Sequence, residues 1–393
     1  MTTVTSPRLD AATAAERLGV SRATLYAYVS RGWIRAFSHP DDPRARLYSA
    51  QDIEAFIRRK AGNRRPDQAA ASALDWGMPT LRSDICTIEN GHLAYRNRDA
   101  IELARKASLE ETAALLWQDD GLGTSRFDPD QFPGWRDLAR SQQSNPAMLR
   151  ALALLPLCYL DESPGLAGRR LFQWAGTLVR ALAAGLLAIE VPQDREIHEA
   201  LAIAWGRPEA ADAIRVALVL VADHEMNAST FAVRVIASTG ATLGACLTGG
   251  LAALSGPRHG GMIARVAAFC EEATSLRDAA ATITARLNRG DDLPGFGHRL
   301  YPEGDPRAEL LLARIGPYAE QEIAASVEKM TGLRPGIDFA LHALERRHGL
   351  PPESGFAIFA IGRAVGWMAH AVEQRATGQL IRPRAHSTPR PSA

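Results

Sequence analysis

The sequence predicts an all-α body with a small helix-turn-helix module at its N-terminus. Three observations lead there. Ala, Leu and Arg dominate long stretches in which apolar residues recur at helical spacing. Strand-like alternation is confined to two short hairpins. Charge is also uneven: residues 1–65 hold 12 Lys and Arg against 6 Asp and Glu, while the rest of the chain nets −5. A basic head on a mildly acidic body points to an appended module with its own partner. The 393 residues are too many for one core, and the overall charge of +1 gives no general pull towards nucleic acid or membrane.

In the module, residues 11–18 and 22–30 read as two helices around the turn Gly19-Val20-Ser21. Gly19 suits a left-handed exit from the first helix, and Ser21 suits the N-cap of the second. Residues 34–48 read as a hairpin with a Pro/Asp tip. Ser49 then caps a helix with Ile53, Phe56 and Ile57 on one face. The module spans 1–62, and the Pro/Gly/Ala/Arg-rich residues 63–80 read as a linker.

The body opens with two β-like runs at 83–97 around Asn90-Gly91, the preferred dipeptide of a tight hairpin. Helices are expected at 99–106, 109–117, 135–142, 146–155, 167–187, 196–205 and 209–221, punctuated by Pro and Gly. Cys86, Cys158, Cys246 and Cys270 are far apart and form no CxxC pair. That argues against a disulfide framework or a zinc site and for a reducing compartment. The start, MTTVTSPRLD, lacks an apolar core for secretion, and apolar runs such as 181–189 reach about half of a spanning length. A soluble, cytoplasmic protein is expected.

Four polar constellations interrupt the apolar helical body. Asp223-His224-Glu225-Met226-Asn227-Ala228-Ser229-Thr230 follows the apolar run 216–222, where His and Asn are costly unless bonded or used. Ser255-Gly256-Pro257-Arg258-His259-Gly260-Gly261 offers a His on a loop that a ligand can approach closely. Residues 293–307 join His298 to Arg307 through a further Gly/Pro loop. The last set is Asp338, Arg363 and Arg382. Singly, each has an ordinary reading. A loop His is often structural, Asp338 suits the cap of a helix starting at Phe339, and Arg363 suits a solvated helix face. Arg258, Arg265 and Arg299 suit surface charge. Their joint occurrence is what carries weight.

Taken in order, these segments resemble the citrate synthase family: Tyr95-Arg96 after the hairpin, HEMNAST, GPRHGG, PGFGHRLYPEGDPR, the segment around Asp338, GRAVGWMAHAVEQ and RPRAH. The resemblance covers roughly residues 81–386. It implies a fold of a large helical domain (81–260 and 346–393) and a small one (261–345), a homodimer, and a site in the cleft between the domains. The implied activity is that of the tricarboxylic acid cycle enzyme: acetyl-CoA condenses with oxaloacetate, and the citryl-CoA thioester is hydrolysed with no metal or redox cofactor. Asp338 then matches the base that takes a proton beside the thioester carbonyl. His259 matches the donor to the enol oxygen, and His298 the group that polarises the ketone. Arg307 and Arg363, with Arg382 from the other subunit, match the forked partners of the oxaloacetate carboxylates. His224 matches a further oxaloacetate contact, and Gly295, Phe296, Gly297 and Arg299 fall in the CoA segment. The sequence departs from the family pattern at Met262-Ile263, commonly Ala-Asn, at Arg258, at Pro302-Glu303-Gly304 and at Asn97. A 2-methylcitrate synthase using propionyl-CoA, the reverse lyase, and a regulator with a synthase-derived sensor body all fit the same residues.

The head, ERLGVSRATLYAYVSRGWI with its following hairpin and helix, resembles the winged helix-turn-helix of MerR-type regulators and excisionases. This implies a recognition helix at 22–30 that presents Arg22, Thr24, Tyr26 and Tyr28 to DNA, with Arg44, Arg46 and Tyr48 on the wing near phosphates. A scaffold that binds protein fits the same pattern.

Overall fold

The computed structural model describes residues 8–30, 33–38, 46–54, 56, 81–161, 166–187, 191–275 and 278–383. The chain divides into two compact units, 1–82 and 83–393.

In the first unit, β1 (Arg8–Leu9) leads into α1 (Ala11–Leu18), α2 (Arg22–Ser30), β2 (Ala36–Ser38) and β3 (Arg46–Ser49). The strands form an antiparallel sheet ordered β1-β3-β2. Local chemistry sets each helix end. Asp10 accepts from the Ala12 and Thr13 N–H groups at 2.9 and 2.8 Å. Gly19 closes α1 at φ 64°, and Ser21 Oγ accepts from Thr24 N at 3.2 Å. Ser49 Oγ accepts from Asp52 N at 3.2 Å, as the sequence predicts for the next helix. Ala14, Ala15, Leu18, Leu25, Ile34, Tyr48 and Ile53 form the core. Tyr48 therefore corrects an expectation: it packs inward on β3 at 2% exposure and cannot face a phosphate. The hairpin tip with Arg44, Ile57 and the linker 63–80 lie outside the described residues.

In the second unit, β4 (Cys86–Glu89) pairs with β5 (His92–Tyr95), with Cys86 opposite Tyr95. Asn90 and Gly91 both have positive φ, 52° and 80°, as a tight two-residue turn requires. A two-residue strand β6 (Arg98–Asp99) completes the sheet. The regular elements that frame the site thereafter are helices: α3 (Ala100–Lys106), α4 (Leu109–Trp117), α5 (Gly168–Leu187), α6 (Ala211–Leu220), α7 (Ala228–Ser238), α8 (Leu243–Leu254), α9 (Met262–Ser275), α10 (Ala279–Arg289), α11 (Pro306–Ile315), α12 (Gln321–Thr331), α13 (Ile337–His348) and α14 (Ser354–Thr377). The expected helices are found with ends moved by at most two residues.

The body has two apolar clusters. The larger gathers the hairpin, α3–α8 and α14, together with faces of α11 and α13. The smaller joins Val266, Phe269 and Cys270 of α9 to Ile283, Phe296, Val327 and Phe339. Helix α14 runs through the larger one. Its 24 residues are long and apolar enough to cross a membrane by length and composition, but 89% of the relevant window is buried inside the protein. It is apolar all round because it is packed all round. At Gly362 and Gly366 a β-carbon would overlap backbone at Leu218 and Ala222, so glycine is what lets α14 lie against the end of α6.

Candidate active site

The site is built from the turn after α6. Tyr95 is fully buried, and its phenol donates to the Val219 carbonyl at 3.0 Å. In turn it accepts from Asp223 N at 3.3 Å. The hairpin thus fixes the segment that enters His224. Glu225 follows at φ 51°, and its carboxylate accepts from Ile88 N. Asn227 then caps α7, accepting from Ser229 N and Thr230 N at 3.1 Å each. His224 is left between two helices at 8% exposure, with Nε2 3.0 Å from Tyr301 Oη and its ring edge-on to His298 at 5.2 Å.

His259 comes from the loop between α8 and α9. A β-carbon at Gly261 would sit 2.6 Å from the Ser255 carbonyl oxygen, so the turn tolerates only glycine there. His259 Nε2 lies 2.8 Å from Ser229 Oγ and 3.2 Å from Asn227 Oδ1. Burial and the Arg363 charge push its imidazole down to about 3, so the ring is neutral.

His298 follows Gly295 and Gly297, both in the left-handed region. Its Nδ1 accepts from Leu300 N at 3.1 Å, which leaves the ring proton on Nε2. Burial, then the Arg307 charge, pushes it down to about 4 against the opposing pull of Asp305. Arg307 is 2% exposed, and its fork is already occupied: Nε and Nη2 bond both oxygens of Asp305 at 2.9 and 2.8 Å. Asp305 also accepts from Ile337 N at 3.1 Å, next to Asp338.

Asp338 is not a cap. Gly336 is the N-cap of α13, so Asp338 lies inside the first turn. The residue is partly exposed, but its Oδ1 is buried without a hydrogen-bond partner. Burial raises its carboxyl to about 7, with Asp305 adding to the rise and Arg307 and Arg363 opposing it. Nor is Arg363 a solvated helix residue. It is 1% exposed, and its Nε donates to the Val221 carbonyl at 2.8 Å.

His224, His259, His298, Asp338, Arg307 and Arg363 are thus electrostatic neighbours in one buried region. Other candidates lie differently. The Phe296 ring is core, 4.9 Å from Phe339 and 6.2 Å from Phe269, so its side chain is taken up by packing rather than presented to a ligand. Arg258, Arg299 and Arg382 are exposed, and most of RPRAH lies outside the described residues. Arg22, Tyr26 and Arg46 are exposed on the module, and Thr24 is half-buried beside Ser21. Ser229, Tyr301, Asp223 and His370 are participants that the sequence reading did not single out, although all lie within its motifs. All four cysteines are buried, and none is in a disulfide. Among the described residues, one group has metal-type side chains, Glu110, Glu196 and His198. There Glu110 already accepts from Ile197 N at 2.8 Å and faces Arg180 at 3.6 Å.

Both parts of the chain resemble known families. Residues 172–384 match the family described as Citrate synthase, C-terminal domain, and residues 8–61 match a Helix-turn-helix domain. Putative citrate synthase 2 of Mycobacterium tuberculosis is 33% identical over 326 residues, covering 76% of this chain and 87% of that protein. The 2-methylcitrate synthase of the same organism is 30% identical over 338 residues, covering 75% and 84%. The crystal structure of citrate synthase from Thermotoga maritima superposes with a TM-score of 0.63 at 28% identity, covering 81% of this chain and 95% of that one. On the extent and identity of these matches, the chain belongs to the citrate synthase family.

Proposed function

We propose that the body condenses an acyl-CoA with oxaloacetate and hydrolyses the resulting thioester, with acetyl-CoA as the acyl donor and citrate as the product. The observation that carries this reading is the Asp338 carboxyl. It is buried at Oδ1, unpartnered and raised to about 7 beside two arginines. A base near neutrality in an enclosed site is what proton removal from a thioester α-carbon needs. His259 donates to the oxygen of the forming enol. If it does so from Nδ1, Nε2 must accept, and the Ser229 hydroxyl at 2.8 Å is the donor within reach. His298, neutral with its proton on Nε2, polarises the oxaloacetate ketone. A neutral imidazole donor holds its proton until the alkoxide develops.

Arg363 and His224 hold oxaloacetate, and Arg307 adds what its Asp305-bound fork leaves open. Arg382 contributes from the second subunit of a homodimer. The backbone of Gly295–Gly297 and the exposed Arg299 meet CoA. The smaller apolar cluster is the core of a small domain, residues 261–345, that closes on the substrate. The module binds DNA through Arg22, Thr24, Tyr26 and Arg46. Four buried cysteines with no disulfide among them fit work in the cytoplasm.

A second acyl donor, propionyl-CoA, is favoured by the similarity to a 2-methylcitrate synthase at nearly the same identity. One methylene is worth only about 1–3 kcal/mol, so a few pocket contacts decide between the two. The test is CoA-thiol release by purified protein with oxaloacetate and either thioester. Oxaloacetate-dependent release establishes the synthase, and the ratio of kcat/KM names the donor. No release with either, from folded protein that binds oxaloacetate, rejects the catalytic reading in favour of a sensor.

A further inference from the structure

Helix α14 is mostly apolar, yet Arg363, His370 and Gln374 are buried on it at 1%, 0% and 3% exposure. Their spacing of seven and then four residues puts them on one face. That face meets Asp223, at the end of the turn after α6, and Arg234 of α7. His370 Nε2 lies 3.2 Å from Asp223 Oδ2. On its other side, Arg234 Nη1 lies 2.8 Å from His370 Nδ1. A guanidinium only donates, so Nδ1 accepts and the ring proton sits on Nε2, close to Asp223 but not in hydrogen-bond alignment with it. Arg234 is steadied in turn by Glu373 and by Gln374 Oε1 at 3.1 Å. The chain Glu373–Arg234–His370–Asp223 therefore runs from a partly exposed carboxylate to a fully buried one.

A fully buried carboxylate with no hydrogen-bond donor on either oxygen is a costly arrangement unless it serves a cation. Arg363 is the guanidinium whose charge acts on Asp223, across a gap too wide for a hydrogen bond. Its Nε is bonded two residues upstream, at the Val221 carbonyl, and Asp223 is the anionic side chain that favours its charged form most. Asp223 also directly precedes His224, and Gly366 abuts its carboxylate so closely that a β-carbon there would overlap it.

We propose that Asp223 and His370, aligned by Arg234 and Glu373, are positioning residues for the oxaloacetate end of the site, fixing where the Arg363 guanidinium and the His224 ring point. This rests on the reading of Arg363 and His224 as oxaloacetate contacts.

The test uses full-length Asp223→Asn, His370→Ala and His370→Gln, with oxaloacetate affinity by calorimetry, steady-state kinetics and a thermal melt. Asp223→Asn and His370→Ala raise the Kd and KM for oxaloacetate by about tenfold or more, while KM for the acyl-CoA at saturating oxaloacetate stays within about twofold. His370→Gln, which keeps an N–H donor near the Nε2 position, recovers oxaloacetate binding to within about threefold of wild type. A pair that merely supports the fold would lower the melting temperature and kcat and leave oxaloacetate Kd unchanged, and that outcome overturns the proposal. If the Asp223 variant does not fold, Glu373→Gln carries the test from the outer end of the chain. There a rise of about threefold in Kd is expected, and no change overturns the proposal. Wild-type protein that binds no oxaloacetate overturns the reading of the site together with this proposal. Wild-type binding matched by all variants overturns this proposal alone.

Discussion

The Asp305 carboxylate grips Arg307 with two hydrogen bonds and leaves both groups almost without solvent, 4% and 2% exposed. Burial lowers the affinity of the Arg307 guanidinium for its proton, and Asp305 more than restores it, so the pair stays ionised. Removing one partner strands the other. Asp305→Ala should cost about 3–5 kcal/mol of unfolding free energy, read from the urea midpoint. The double variant Asp305→Ala/Arg307→Ala should recover part of that loss, because the unpaired buried charge is gone. Equal stability of the single and double variants would show that the guanidinium finds another partner.

Asp338 couples activity and stability in opposite directions. As a base it must be ionised, so kcat/KM should rise with unit slope up to about pH 7 and flatten above it. For stability, the folded carboxyl holds its proton to about 7, against 3.8 as the ordinary value. Between these two pH values the unfolded chain ionises and the folded one does not, so stability falls as pH rises, with the full penalty present above 7. Asp338→Asn removes that penalty. It should lower kcat by about 10²–10⁴-fold and raise unfolding free energy at pH 8 by roughly 2–4 kcal/mol, with no stability gain at pH 4. Denaturant titrations of both proteins at the two pH values check the sign.

These two carboxylates also show where sequence reading stops. Composition and spacing disclosed the helices, and Gly, Pro and His inside apolar stretches disclosed the loops that carry His259 and His298. What was misplaced depends on partners far away in the chain. Asp338 looked like a cap for a helix beginning at Phe339. The helix begins two residues earlier because Asp305, 32 residues upstream, satisfies the Ile337 N–H. Taken alone, Arg363 suits a solvated helix face and His370 carries no signal, and only the packing of α6 and α7 supplies Val221, Asp223 and Arg234 to receive them. Motif position points Tyr48 and Phe296 at ligands, whereas their rings fill apolar clusters of their own units.

Ser229 tests the tautomer of His259. Its hydroxyl accepts from Trp367 Nε1 at 3.2 Å and has one proton to give, to Asn227 Oδ1 at 2.7 Å or to His259 Nε2 at 2.8 Å. Only the second choice leaves the His259 proton on Nδ1. Ser229→Ala should therefore lower kcat by about tenfold, the size of one hydrogen bond that orients a catalytic group. KM for oxaloacetate should be unchanged. A Ser229→Ala enzyme with full kcat would mean that His259 donates from Nε2 and that its Nδ1 faces away from the substrate.

The module makes a separate, salt-dependent prediction. Arg22 lies exposed at the first position of α2, and Arg46 lies exposed on β3. Each phosphate contact releases counterions, so binding of the full-length protein to duplex DNA should weaken linearly in log K against log salt. Arg22→Ala and Arg46→Ala should each reduce that slope by about one and weaken binding uniformly across sequences. In the DNA-binding reading, Tyr26, exposed at 51% on α2, meets a base edge. Its replacement by Phe should change sequence preference while leaving the slope intact. Retention on DNA that ignores salt, or none at low salt, would favour docking of a protein partner, for which Tyr26 and Trp33, 51% and 44% exposed, are the large apolar side chains on offer.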